Sequence, residues 1–115
     1  MNAKPSERER LIHIVKAIDR IFRFCDTLTY ETFSQDEMAQ FAIIKNFEII
    51  GEAAHQLSVE LREKNNHMEW RKIIAFHHIL VHDYYKINTV IIWNAIENKL
   101  RDLKRNIEKM LEENS

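Results

Sequence analysis

One glycine and one proline in 115 residues is the feature that most narrows what this chain can fold into. An average composition would supply about eight and six of them at that length. Hairpins and open loops draw on both, so a chain nearly without them has little from which to build a β-sandwich or barrel. Long helices joined by short connections are what remain. A lone cysteine, Cys25, closes no disulfide within the chain and founds no cysteine-based zinc site. A cytoplasmic location is therefore expected. The opening MNAKPSERER is charged, and no run reaches the roughly 18 apolar residues of a bilayer span, so no membrane association is expected. Seventeen Lys and Arg against eighteen Asp and Glu leave a net charge of -1, so any contact with nucleic acid has to come from a local patch.

Hydrophobic periodicity divides the chain into four helical segments within a single domain over residues 1–115. The first covers about 6–27. Ser6 and Glu9 carry a capping-box signature, and Leu11, Ile14, Val15, Ile18, Ile21, Phe22 and Cys25 form one apolar face. A polar, β-branched stretch over 27–33 interrupts the pattern. The second segment, about 34–64, opens with Ser34 and Glu37 as another capping box, and its apolar stripe includes Met38, Phe41, Ile44, Ile49, Ala53, Leu57 and Leu61. The single glycine, Gly51, falls in mid-helix at a cost of about 1 kcal/mol relative to alanine, which points to close approach by another backbone or a ligand. The third begins near Glu69 and Trp70 and ends near His82. The fourth starts at Asn88 or Thr89 and carries a narrow seam of Trp93, Ile96, Leu100, Leu103, Ile107 and Met110. The expected fold is all-α, an up-down four-helix bundle.

Phosphate-loop, dinucleotide-binding and nucleophile-elbow signatures are missing, as a single glycine makes inevitable. Histidine is left to carry chemistry. Three of the six lie in AFHHILVHDYYKI over residues 75–87. His78 and His82 are four apart and would share a helix face at a spacing that can hold a metal ion. No third ligand stands near that pair, so no metal or cofactor is expected; a site built from His77, His78 and His82 is the alternative. His82, Asp83 and Tyr84 sit where the apolar pattern stops, a place from which side chains project into solvent or a cleft.

WRKIIAFHHILVHDYYKI over residues 70–87, preceded by IIGEAAHQLS over 49–58, resembles the HepT-type branch of the HEPN superfamily. The tryptophan before the third helix, the Gly51-Glu52-Ala53 step and the aromatic Trp93 early in the fourth extend the likeness to nearly the whole chain. The resemblance implies a HEPN-like helical bundle encoded beside a minimal nucleotidyltransferase antitoxin. It implies a homodimeric ribonuclease toxin that cleaves cellular RNA without a metal. The family signature is Arg, four residues, His, one residue, Tyr. His82 and Tyr84 match its last two positions, but His77 stands where the arginine belongs, and His78 where an asparagine commonly follows it.

Metal-independent cleavage needs a base for the 2′-hydroxyl, an acid for the leaving oxygen and a cation for the developing charge. The resemblance makes His82 the acid or base. Arginine offers phosphate a permanent charge and a planar fork, whereas imidazole, with an ordinary pKa of about 6.5, is only fractionally charged at neutral pH. His77 is thus expected to attenuate the activity. Tyr84 is the candidate to position RNA, and the resemblance implies that it is the residue to which the partner would transfer AMP, with Tyr85 ranked below it. Glu52 is the candidate to orient His82 or His77, and Arg71 and Lys72 could supply a local positive patch. The alternative function is a catalytically inactive HEPN protein that serves as binding partner and AMPylation target of the nucleotidyltransferase.

Overall fold

The computed structural model describes residues 5–82 and 88–113, with side chains throughout except at 79–82. All regular structure among these residues is helical: α1 (Glu7–Cys25), α2 (Tyr30–Gln35), α3 (Glu37–Gln56), α4 (Val59–Lys64), α5 (Trp70–His82), α6 (Thr89–Asn98) and α7 (Leu100–Glu113). The expected all-α bundle is what forms. Its rods are α1, α3, α5 and the α6–α7 pair, with α2 and α4 as one-turn connectors.

The first helix follows its sequence pattern. Ser6 Oγ accepts the Glu9 amide at 3.1 Å, satisfying one of the orphan donors of the first turn, and Leu11, Ile14, Ile18 and Ile21 are fully buried. The stretch over 27–33 is less of an interruption than expected. Thr29 and Thr32 form a reciprocal capping box that starts α2, and Ser34 belongs to that helix, its hydroxyl donating to the Glu31 carbonyl at 2.8 Å. Asp36 caps α3 in its place, its carboxylate accepting the Ala39 amide at 3.0 Å.

The second expected segment also divides at its far end. Leu57 leaves the helical region with φ -66° and ψ 147°, and Ser58 caps α4 by accepting the Leu61 amide. Met38 and Phe41 are corrections: they lie exposed, because α3 buries the neighbouring register of Gln40, Ile43, Phe47 and Ile50. Gln40 is accommodated in that stripe because its amide donates to the Phe33 carbonyl at 3.0 Å. The seam of the fourth segment is buried within the bundle at Ile96, Leu100, Ile107 and Met110, although the helix itself breaks at Lys99.

Helix α1 is the hub, packing along both α3 and α7, while α3 packs on α5. The Glu7 carboxylate accepts the Ser58 amide at 2.6 Å and Arg20 reaches Asn46 at 3.4 Å, so α1 and α3 run antiparallel. The Lys104–Asp19 pair at 2.8 Å and the bond from Arg8 to the Leu111 carbonyl at 3.3 Å set α7 antiparallel to α1 as well. Trp70 opens α5 from a buried position, its indole donating to the Asn65 carbonyl at 3.1 Å. Phe76 of α5 meets Phe47 of α3 edge to face at 5.1 Å. Tyr30, Phe33 and Trp93 tie α2 to α6. Among the described residues, no helix is long and apolar enough to cross a membrane.

Candidate functional site

The α3–α5 contact explains the single glycine and positions the first motif histidine. Gly51 is buried in mid-α3 with ordinary helical backbone, so its role is space rather than dihedral freedom. A Cβ built there would lie 2.0 Å from Cβ of His77, 2.7 Å from its Cγ and 3.3 Å from its Nδ1. The root of the histidine side chain therefore rests on bare α3 backbone. The first of these atoms is held by the α5 main chain, and no rotamer change relieves it.

His77 is 15% exposed at its side chain, and its Nδ1 is buried without a hydrogen-bond partner among the described residues. Its Nε2 faces the Glu52 carboxylate at 3.9 Å, and the same carboxylate accepts from Gln56 at 3.2 Å. Of the two histidines that Glu52 was expected to orient, His77 is the one whose side chain is described, and it faces this carboxylate. The rings of His77 and His78 lie 5.4 Å apart, with His78 turned to the exposed side of α5. His82 is the last residue of α5; its side chain, together with Tyr84 and Tyr85, lies outside the described residues. Among the described residues no group of three or more His, Cys, Asp or Glu side chains is arranged to hold a metal ion.

His77 and Glu52 line a groove of about 280 Å³ between α1 and α3, where Arg10, His13, Lys45 and Glu48 complete the polar lining. Sequence reasoning missed Arg10, His13 and Lys45. Each falls on the polar face of its own helix, and only the antiparallel pairing of α1 with α3 brings them toward His77. On the other side of α5, Arg71 and His78 line a broader surface with His55 and Arg62. Lys72 pairs with Glu69 at 3.7 Å, so the expected patch of Arg71 and Lys72 is partly neutralised.

The sequence profile described as Ribonuclease HepT-like matches residues 14–110, a span that contains the glycine step, the histidine motif and the α6–α7 seam. The chain belongs to the HepT-like family. A Methanocaldococcus jannaschii protein whose name joins a gamma-glutamylcyclotransferase to a provisionally assigned RNase is 33% identical over 90% of the chain. The chain spans 46% of that protein's length, about half. A Caldanaerobacter subterraneus subsp. tengcongensis protein provisionally named an RNase is 30% identical, with 91% of this chain and 94% of its own length covered. A Thermococcus cleftensis protein named probable ribonuclease HepT is 29% identical over 93% of this chain and 97% of its own. No solved structure matches the chain. In this bundle Gly51 is the floor on which the His77 side chain rests.

Proposed function

We propose that this HepT-like chain is a metal-independent endoribonuclease, the toxin of a toxin–antitoxin pair, attenuated by His77. The observation that carries the reading is the seating of His77 on Gly51 beside Glu52, which supports the first motif position as a built site rather than a surface histidine. The ribose 2′-oxygen attacks the adjacent phosphorus. A base takes its proton, the P–O5′ bond breaks, and an acid protonates the departing oxygen, leaving a 2′,3′-cyclic phosphate and a 5′-hydroxyl. His82 is assigned to proton transfer. In a homodimer with a shared cleft, two copies of His82 would serve the two transfers, and Tyr84 would position the RNA.

The reading extends to a minimal nucleotidyltransferase antitoxin that transfers AMP from ATP to the Tyr84 hydroxyl, with pyrophosphate leaving. A bulky anion there would repel RNA phosphate and silence the site. Labelling of the wild-type chain that is lost in Tyr84→Phe supports this assignment, and labelling that persists moves it to Tyr85.

A second reading is favoured by a specific observation. His77 is mostly buried and its Nδ1 has no partner among the described residues, so it offers phosphate less reach than a guanidinium on a longer arm. This suits a catalytically inactive chain that survives as binding partner and AMPylation target. Restoration separates the two: His77→Arg should raise RNA cleavage by about a hundredfold or more, the worth of one well-placed charged donor in a transition state. His82→Ala in that background should abolish it. A folded His77→Arg protein that cleaves no RNA establishes the second reading instead.

A further inference from the structure

The groove that His77 lines holds two fixed cations, Arg10 and Lys45, against two carboxylates, Glu48 and Glu52, but the pairing among them is uneven. Lys45 pairs with Glu48 at 3.8 Å, and Glu52 faces His77 at 3.9 Å. Arg10 lines the same groove from α1, half-buried, and its guanidinium makes no ion pair or hydrogen bond among the described residues. Its neighbours on α1 are engaged otherwise: Glu7 holds the Ser58 amide and Arg8 holds the Leu111 carbonyl. A guanidinium without a partner among the described residues forgoes the paired, bidentate contacts to which its planar fork is suited. We infer that Arg10 is a substrate-binding cation of this chain, reaching the RNA phosphate from α1 and standing in for the guanidinium that His77 does not supply.

This inference rests on the ribonuclease reading above and adds a residue that lies outside the histidine motif. The chemistry asks for one permanent cation near the phosphate undergoing attack, and either helix can deliver it. Delivery from α1 places the charge across the groove from the motif instead of within it. Two guanidiniums serving one function are partly redundant, so the two positions should be coupled rather than additive.

The test is a double-mutant cycle on RNA cleavage, using the 115-residue chain with Arg10→Gln, His77→Arg and both together, each checked for helical content and melting temperature. Arg10→Gln should lower cleavage by about a hundredfold in the His77 chain and by less than about threefold in the His77→Arg background. Arg8→Gln removes the same charge from the same helix outside the groove and should leave cleavage unchanged. An equal loss from Arg10→Gln in both backgrounds, no loss in either, or an equal loss from Arg8→Gln overturns the inference while leaving the ribonuclease reading intact. If neither the wild-type nor the His77→Arg chain cleaves RNA, the ribonuclease reading falls and the inference falls with it.

Discussion

Gly51 and His77 divide one small volume between them, and the division leaves no room for a second Cβ. In Gly51→Ala the added atom would meet the His77 Cβ at 2.0 Å, so α3 and α5 have to separate. The cost is expected toward the upper end of the 1–3 kcal/mol typical of overpacking, more than the roughly 1 kcal/mol alanine gains as a helix former. Thermal unfolding followed by circular dichroism should show Tm falling by about 4 °C or more; an increase would mean that the helices are less closely apposed. Cys25, the last residue of α1, offers a pH-dependent check. Burial, assisted by the charge of Asp26, pushes its thiol from 9.0 up to about 11. The folded thiol holds its proton to higher pH than the unfolded one, so its contribution to stability is intact below pH 9.0 and is lost as pH rises toward about 11. Alkylation of the native protein should follow that upper midpoint, with the denatured chain reacting near the lower one. Coincident midpoints would refute the burial of this thiol. At this scale the sequence pointed to Gly51 as a place of close approach, but not to His77 as the group that approaches, because that depends on how α5 is rotated against α3.

Helix boundaries depend on which oxygen accepts the first free amides, and α3 offers two candidates two residues apart. Asp36 accepts the Ala39 amide, whereas Ser34 donates to a carbonyl within α2. Asp36→Ala should therefore cost about 1 kcal/mol in urea denaturation, and Ser34→Ala less than about 0.5 kcal/mol. The reverse order would restore the boundary suggested by the Ser34–Glu37 pattern. Periodicity identified the four rods because their stripes are long, but it passed over breaks at Leu57 and Lys99. In both places the apolar spacing continues across the break: Ala53, Leu57 and Leu61 in one, Ile96, Leu100 and Leu103 in the other. The register of α3 was misjudged because buried Gln40 and Asn46 interrupt the true stripe, while exposed Met38 and Phe41 extend a false one. A pattern of side-chain character does not register polar residues satisfied by their own backbone neighbours, as Asn46 is by the Ala42 carbonyl.

Over the whole molecule, the near-absence of glycine and proline and the helical periodicity carried the architecture, and the motif over 70–87 carried the family. What the sequence did not contain was the groove between α1 and α3, since Arg10 and His77 are brought together only by tertiary pairing. The composite-cleft reading requires two chains, so the protein should sediment as a dimer at micromolar concentration; a monomer would remove the shared cleft while leaving the bundle intact. The central claim is cleavage through the ribose 2′-hydroxyl, and it is most directly tested by the ends that cleavage leaves. The wild-type and His77→Arg chains should be incubated with a short RNA in the presence of chelator and the products read by mass spectrometry. The account predicts 2′,3′-cyclic phosphate and 5′-hydroxyl ends, with a single 2′-deoxy substitution at the cleaved nucleotide blocking the reaction. Products bearing 3′-hydroxyl and 5′-phosphate ends, or cleavage that survives the deoxy substitution, would contradict it.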